Sequence, residues 1–475
     1  MADTRTQSLK SSGKYLGLGL LIAWHYSFWF VPNVFPNTHL LGHEVTLAWL
    51  THLISSALTL FLIPPLLGRK TRLSSFKFLF VALPAVLSFL SMAITVIPAV
   101  LSTPLIFILI SILIGICNAG IWMLWGELYA KSKANFSINH IGPAVGVMLL
   151  ASLIVAFTLP APFASLFVAL LPLISGFLLC RASKGALQKS FPALQPPSGT
   201  IKNSHKSIGI VCFISLLAGL ACYYLIAIIP WEEMPGEDDA FAYGAMCGAM
   251  LMFIITAICI ASRKRYNIFK LFPWLIVLII IAFAIYVADE FLYFYAFLFT
   301  IAITSVFELL LAMYFGVLMS KGYITPLLAF GLSGGCVRSG MAAGNIMAIT
   351  YEMHPNITTP FLPETALLFI CLLAILLISL VRQEYTIAKL TSDPADESEI
   401  DKRCCAIAQE FRLSARETDI LKLLARGYTT NGIAKKLVIS PHTVNTHIRH
   451  AYEKTGIHKR SELIDFVNIN RSDPF

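Results

Sequence analysis

The chain has 475 residues, of which 57% are hydrophobic and 13% charged, and its net charge is +9. Soluble globular proteins are usually about 45–50% apolar and about 25% charged, so this composition excludes a wholly soluble protein. The positive balance does not by itself indicate nucleic-acid binding, because membrane proteins collect Lys and Arg on their cytoplasmic side.

Between Tyr15 and Val381 the sequence contains about twelve mainly apolar runs, and a membrane-spanning helix needs about 20 such residues. The polar loop 181–207 divides the runs into two groups of six. We therefore predict an all-α fold in which a tail, 1–14, precedes a twelve-helix transmembrane bundle at 15–382. The predicted spans are residues 15–35, 45–67, 76–98, 104–128, 141–160, 163–180, 208–229, 240–261, 268–288, 291–319, 325–349 and 365–381.

The positions of Lys and Arg predict the orientation of the bundle. These residues occur in the tail, in the 181–207 loop and in the other loops on that side, whereas the alternate loops hold none. One alternate loop, 230–239, is instead acidic. The positive-inside rule therefore predicts a multi-pass protein of the inner (cytoplasmic) membrane with both termini in the cytoplasm.

Two halves of six spans around a long basic loop resemble the major facilitator superfamily over roughly residues 15–381. That superfamily has a G-x-x-x-D-x-x-G-R-K pattern after its second span. Here Gly68, Arg69 and Lys70 are kept, but no Asp precedes them. Because this loop takes part in gating the transport cycle, its change argues against active transport.

The same resemblance implies that the first, fourth, seventh and tenth spans line a central cavity. Aromatic walls with few polar groups suit a small apolar or aromatic ligand. The alternative is ordinary packing or interfacial aromatic residues. The candidate ligand-binding residues are Trp24, His25, Trp29, Asn118, Trp122, Tyr223 and Glu308, together with Arg338 of the eleventh span.

Arg338 and Glu308 are the clearest charged residues deep inside predicted spans. Charges there are costly and usually have a purpose. The two residues could form a structural ion pair or could contact a ligand.

No arrangement typical of catalysis or of a cofactor is present in the sequence, so we expect neither an enzyme nor a cofactor. His39, His43 and Glu44 could bind a metal ion, but a solvated loop is the favoured interpretation, and no metal site is predicted. The cysteines do not have C-x-x-C spacing and are interpreted as small apolar residues.

The charge pattern changes after Arg382. Residues 383–411 hold seven acids against three bases, and we interpret this segment as an acidic linker. Residues 412–460 hold ten bases against three acids. This reversal predicts a separate C-terminal domain at 412–475.

Four short helical segments are predicted within 414–468. Ser414 and Glu417 have the spacing of a capping box at the start of the first helix. The second runs over about 430–437, and Ser440 is placed to cap the third, followed by Pro441 at its first position. The fourth covers about Ser461 to Asn468.

The third of these helices has two contrasting faces. One face is apolar and should pack inward: Val444, Ile448, Ala451 and Tyr452. The other face is polar: His442, Asn445, Thr446 and Arg449. Asn can bond adenine edges and Arg can bond guanine edges or phosphate, so this pattern predicts a helix-turn-helix.

This segment closely resembles the LuxR-type (FixJ/NarL-type) helix-turn-helix. The matching residues are Leu413-Ser414-x-Arg416-Glu417, Leu423-Leu424-Ala425-x-Gly427, Ile433-Ala434-x-x-Leu437-x-Ile439-Ser440, Thr443-Val444-x-x-His447, Lys454-x-Gly456-Ile457 and Arg460-Ser461-Glu462. The resemblance implies that the third helix enters the major groove of promoter DNA and that the fourth pairs two copies into a homodimer.

The resemblance and the polar face together give the candidate DNA-binding residues: Thr430, Asn431, Lys435, Lys436, Ser440, His442, Thr443, Asn445, Thr446, Arg449 and Lys454. Asn445 stands where the family usually has Lys, and Gly432 where it usually has Glu, so weak binding by a single copy is expected. The whole sequence predicts a bacterial one-component transcription regulator whose membrane domain senses a small molecule. The alternative is a transporter of a small organic solute with a regulatory tail.

Overall fold

The computed structural model describes residues 15–35, 42–67, 72–96, 103–132, 138–186, 201–229, 240–261, 268–353, 362–391, 394–425, 428, 430–457, 462–463 and 466–467. Three features of the sequence lie outside these residues: the predicted tail 1–14, the Gly68–Lys70 motif, and the side chains at 39–44 that were considered for metal binding. The chain divides into two compact units, 1–387 and 388–475.

In the described part of the chain, twelve helices coincide with the twelve predicted spans. They are α1 (Leu16–Phe30), α2 (Gly42–Leu67), α3 (Leu79–Val96), α4 (Pro104–Ser132), α5 (Ile138–Thr158), α6 (Phe163–Ala186), α7 (Ile201–Ile228), α8 (Ala240–Ala261), α9 (Leu271–Ala288), α10 (Tyr293–Ser320), α11 (Pro326–Glu352) and α12 (Leu362–Thr391).

Ten of these helices are long and apolar enough to cross a membrane by length and composition. The other two are α1, which has 15 residues, and α11, whose hydropathy is lowered by glycines, serines and Arg338. The described residues therefore support a bundle of many membrane-crossing helices, but they do not establish that all twelve helices cross the membrane. Large apolar side chains remain exposed on its helices, among them Phe89 and Phe177, as a surface facing lipid would require.

Helix α11 packs closely against α2 of the first six helices and α7 of the second six. Its glycines make this approach possible. A Cβ atom at Gly331 would overlap the carbonyl oxygen of Leu60 in α2, and one at Gly340 would overlap that of Leu216 in α7. Small residues let helix backbones come together in a membrane, where no water is expelled to drive packing.

Among its described residues, the second unit contains the helices α13 (Pro394–Glu410), α14 (Ala415–Ala425), α15 (Thr430–Leu437) and α16 (Pro441–Thr455). The last three match the first three helices predicted for this domain. The fourth predicted helix, Ser461–Asn468, lies largely outside the described residues. Within it, Leu463 and Val467 are helical and buried in the core of the unit.

The segment 383–411, interpreted from its charge as a linker, is helical over most of its length. Its second helix, α13, contributes Cys404 and Ile407 to the same apolar core as Leu421 and Val444. The acids of this segment obscured these apolar positions in the sequence. A fragment of the second unit should therefore begin near Ala388 rather than at 412.

We predict that Gly340→Ala destabilises the membrane unit, because the added methyl group would meet the fixed backbone of α7. Overpacking of this kind costs about 1–3 kcal/mol. Thermal unfolding of the full chain in detergent measures the effect. Gly209→Ala is the matched control, since a Cβ at that helical position meets no atom within 4 Å. Equal melting temperatures for the two variants would contradict the close approach of α7 and α11.

Candidate functional site

The first candidate site lies inside the membrane unit around Arg338 and Glu308. The Nη2 atom of Arg338 lies 3.6 Å from Oε1 of Glu308, and their side chains are only 3% and 6% exposed. The hydroxyl of Tyr26 donates to Glu308 Oε2 at 3.3 Å. The guanidinium carbon of Arg338 lies 5.3 Å from the ring centre of Trp122, a cation–π distance. The two charges thus stabilise each other, with aromatic support from α1 and α4.

Gly334 is needed for this arrangement. It precedes Arg338 by one helical turn, and a Cβ at this position would overlap Arg338 Nη1 and come within 3.3 Å of Trp122 Nε1. The absence of a side chain leaves room for the guanidinium beside Trp122. Trp122 is itself fixed, because its Nε1 donates to the carbonyl oxygen of Phe330 at 3.1 Å.

Aromatic and imidazole rings from α1, α2 and α7 form a second group in this unit. The His52 ring centre lies 5.5 Å from that of His25, 5.3 Å from that of Trp29 and 5.8 Å from that of Trp49. Tyr223 stacks on Trp49, and their ring centres lie 6.0 Å apart. The two groups are adjacent through Tyr26, whose ring centre lies 5.5 Å from that of His25 and whose hydroxyl donates to Glu308, the partner of Arg338. We call His25, Trp29, Trp49, His52 and Arg338 the buried cluster.

The structure brings most of the predicted ligand residues together, but with different roles. Trp24 Nε1 donates to Ser91 Oγ at 3.2 Å, so its polar atom is used within the fold. Asn118 is buried one turn before Trp122 on α4. Sequence reasoning missed Trp49 and His52, because it assigned the cavity to four spans that exclude α2. An ionisable residue within an apolar run was the signal that could have identified His52.

The second candidate site is α16 of the C-terminal unit. Ser440 caps this helix: its Oγ accepts from the backbone N–H of Thr443 at 3.0 Å, and Pro441 follows at the first helical position. Val444 and Ala451 are buried in the core, with Ile448 and Tyr452 packed against it, as predicted. The helix ends at Gly456, which has a left-handed φ of 71°.

The opposite face of α16 is exposed. His442, Asn445 and Arg449 follow each other at helical spacing along it, and we call them the exposed stripe. Arg449 lies 3.8 Å from Glu453, and both side chains are more than 60% exposed, so this ion pair is weak and can open for a ligand. Thr446 lies beside the stripe and donates to the carbonyl oxygen of His442.

The other predicted DNA-binding residues lie around this face or on α15. Ser440 and Thr443 bond to each other at the start of α16, and Thr430 begins α15. Lys436 is exposed on α15 with its Nζ 3.1 Å from Tyr428 Oη. The side chains of Asn431 and Lys435 lie outside the described residues.

Lys454, which was grouped with the DNA-binding residues, lies on another side of α16. Its Nζ donates to Glu417 Oε2 at 2.7 Å and to the carbonyl oxygen of Arg412 at 3.4 Å. Glu417 also accepts from the backbone N–H of Ser414 at 2.7 Å, while Ser414 Oγ accepts from the N–H of Glu417, which is the predicted capping box. Lys454 and Glu417 therefore fasten α16 to α14.

Glu417 is the titrating group that this contact perturbs. Burial acts to raise the pKa of its carboxyl group, but hydrogen bonds from Lys454 and Ser414 outweigh burial and hold that pKa below its ordinary value. His447 and His450 approach the same carboxylate, and the three groups could supply one ligand atom each within 4.8 Å of one another. Lys454 already compensates the charge of Glu417, so we do not propose a metal site at these three residues.

We predict that exchanging Arg338 and Glu308 for neutral residues gives strongly non-additive effects. Arg338→Met and Glu308→Gln alone each leave a buried charge unpaired, whereas the double variant leaves none. The double variant should be more stable than the sum of the single changes by about 1–3 kcal/mol. Thermal unfolding in detergent measures this, with Arg338→Met combined with Glu290→Gln, an exposed acid, as the control cycle. Additive effects in both cycles would show that the two charges do not interact.

We predict that the C-terminal unit loses stability in acid through Glu417. A carboxyl group whose folded-state pKa is lowered stabilises the fold above its unfolded value, about 4.3 for Glu, and this contribution disappears as pH falls through the folded value. Unfolding of a 388–475 fragment, followed by circular dichroism, should show this loss. Glu417→Gln should be less stable at neutral pH and flatter in acid, whereas Glu453→Gln, on the surface, should follow the unchanged fragment. Parallel profiles for Glu417→Gln and the unchanged fragment would contradict the assignment.

Solved structures of transporters are similar to the larger part of the chain only at low identity. The human organic anion transporter MFSD10 is 14% identical with a TM-score of 0.48, over 78% of this chain and 99% of that one. FucP, described as a Major Facilitator Superfamily transporter, is 13% identical with a TM-score of 0.47, over 81% of this chain and 100% of that one.

The C-terminal segment matches a family directly. Residues 412–467 match the model for bacterial regulatory proteins of the luxR family. An HTH-type transcriptional regulator of Mycobacterium tuberculosis is 42% identical over 53 residues, which are 11% of this chain and 6% of the relative. The oxygen regulatory protein NreC of Staphylococcus aureus is 34% identical over 88 residues, 18% of this chain and 41% of the relative. The chain thus spans less than half the length of these relatives. Residues 412–467 form a helix-turn-helix domain of the luxR family, and in this protein that domain follows a unit with many membrane-spanning helices.

Proposed function

We propose that this protein is a membrane-anchored, one-component transcription regulator of bacteria. The luxR-family domain binds promoter DNA, and the membrane unit senses a small molecule. The observation that carries this proposal is the exposed stripe of α16, a polar helix face left open on a domain whose family model is that of regulatory proteins. Direct attachment to a membrane unit lets a signal from outside or from the bilayer reach the promoter without a soluble intermediary.

The exposed stripe has the chemistry of a DNA-reading surface. Arg can donate two hydrogen bonds to guanine, and Asn can make two hydrogen bonds to the N6 and N7 atoms that adenine presents in the major groove. The apolar face of α16 is fixed by Val444 and Ala451, so the stripe projects from a rigid helix rather than from a loop. Lys436 adds a nearby positive charge suited to phosphate contact.

The sensing role is assigned to the buried cluster and its aromatic neighbours, which suit a small aromatic or apolar ligand. Ligand binding would favour one conformation of the membrane unit over another, since a ligand shifts an equilibrium by its difference in affinity for two states. That shift would alter how two C-terminal domains pair on DNA. Pairing two weak modules raises their effective concentration and so their joint affinity.

This function requires the C-terminal domain to lie in the cytoplasm, where the DNA is. The distribution of Lys and Arg among the loops favours the same orientation, with both termini on the inner side of the cytoplasmic membrane. The homodimer on DNA and the identity of the promoter are part of the proposal.

We predict that the 388–475 fragment binds promoter DNA weakly and that Arg449→Ala lowers its affinity by about 10-fold or more, as expected for loss of one base or phosphate contact. Lys402→Ala removes the same charge from an exposed position of α13, outside the exposed stripe, and is the matched control. His442→Ala and Asn445→Ala should change the preferred sequence more than the overall affinity. Binding should weaken steeply with added salt, because phosphate contacts release counterions.

Footprinting upstream of the encoding gene and its neighbours tests the proposal with monomeric and covalently dimerised fragments. Dimerisation should tighten binding by about 100-fold or more if two modules act together. A dimer that protects no DNA at low salt would overturn the regulator function. Solute uptake by the purified full chain in vesicles would then favour the alternative, a transporter with a regulatory tail.

A further inference from the structure

The buried cluster contains polar atoms that have no hydrogen-bond partner in the described part of the structure. They include Nε and Nη1 of Arg338, Nε1 of Trp29, Nδ1 of His25 and both ring nitrogens of His52. Arg338, His25 and His52 are buried residues, with exposures of 2%, 4% and 0%. Buried polar groups in native proteins are nearly always paired, so several unpaired ones in one place indicate a partner that binds there.

The unpaired atoms are unequal in kind. Arg338 and Trp29 can only donate hydrogen bonds, whereas a neutral histidine offers one donor and one acceptor, so the surplus of donors comes from Arg338 and Trp29. Among the described residues, Glu308 is the carboxylate placed against the cluster, and it is already occupied, with Oε1 facing Arg338 and Oε2 accepting from Tyr26. Within the described part of the chain, the cluster therefore has an excess of donors.

This excess distinguishes between possible partners. A water molecule donates as well as accepts, so each water that accepted a hydrogen bond from the cluster would still need acceptors for its own hydrogens. An ammonium group only donates and would compete with Arg338 for Glu308. A carboxylate only accepts, at about four lone-pair positions, and so complements the donors of Arg338, Trp29 and the histidines.

The walls indicate the remainder of the ligand. The ring centres of Trp29 and Trp49 lie 5.3 Å and 5.8 Å from that of His52, and Tyr223 stacks on Trp49. Rings of this kind pack well against another flat ring. The region thus combines a surface for an aromatic body with donors for an acidic group.

We infer that the buried cluster binds an aromatic carboxylate, with the carboxylate received by Arg338 and Trp29. This inference rests on the proposed sensing function and narrows its ligand from any small aromatic or apolar compound to an aromatic acid. Binding here needs neither DNA nor the C-terminal domain, so it is tested separately from promoter recognition.

The experiment measures thermal stabilisation and tryptophan fluorescence of the purified full chain in detergent, without DNA. The probes are benzoate and 1-naphthoate, with benzyl alcohol and benzylamine as the matched neutral and cationic compounds. The carboxylates should bind with a Kd of about 1 mM or tighter, at least about 10-fold better than benzylamine. Equal binding of all four probes, or preference for the amine, overturns the inference. So does the absence of any carboxylate effect at roughly 10 mM, ten times that Kd.

Trp29→Phe provides the decisive variant, because it keeps an aromatic ring and removes only the unpaired N–H. It should weaken benzoate binding by about 10-fold or more, the loss of one hydrogen bond to a charged group, with little change in benzyl alcohol binding. Trp125→Phe is the control: it removes a buried indole N–H that already donates to Ser175 Oγ at 3.1 Å, outside the cluster. Equal losses of benzoate binding in the two variants would show that the N–H of Trp29 has no special role. Loss of carboxylate binding with DNA binding intact, or the reverse, separates this inference from the regulator proposal.

Discussion

The buried ion pair between Arg338 and Glu308 is the constraint on which the interior of the membrane unit depends. Either charge alone, in surroundings that exclude water, would cost several kcal/mol, which is a large part of the roughly 5–15 kcal/mol by which proteins are stable. The pair links α11 to α10, Tyr26 adds a hydrogen bond from α1, and Trp122 covers the guanidinium from α4. Four helices are therefore placed by one electrostatic requirement. Because the pairing uses only part of the guanidinium, Nε and Nη1 of Arg338 have no hydrogen-bond partner in the described structure, and we assign them to ligand binding.

Glycine makes this pairing sterically possible. Arg338 belongs to a helix that is pressed between α2 and α7, where Gly331 and Gly340 lie against backbone carbonyl groups. Gly334 leaves space for the guanidinium itself. A helix with larger side chains would stand farther from both neighbours. The polar, glycine-rich character that lowers the hydropathy of α11 is thus the same property that lets it carry a charge between the two groups of six helices.

In the C-terminal unit a different ion pair has a comparable role. Glu417 closes the capping box of α14 and binds Lys454 of α16, so one carboxylate both begins a helix and positions the helix that we propose reads DNA. This contact uses a face of α16 separate from the exposed stripe. Around its circumference the helix therefore packs through Val444, is anchored through Lys454 and leaves exposed Arg449, to which we assign DNA recognition as a proposal. Weak exposed pairs such as Arg449 with Glu453 cost little to break on binding.

Local rules in the sequence were sufficient for the helices other than α13, for the capping of α14 and α16 and for the inward face of α16, because these depend on residues within one or two turns of each other. The family of residues 412–467 was likewise legible from spaced motifs. Intramembrane charge also identified Arg338 and Glu308, although the sequence left open whether they pair. The tertiary structure decided what depends on distant segments. In the folded chain, His52 and Trp49 pack against His25. Cys404 and Ile407 of an acidic segment are buried in an apolar core, and Lys454 pairs with Glu417. Hydropathy averages a helix over all its faces, whereas the partner of each side chain is set by which face meets which neighbour, and only packing determines that.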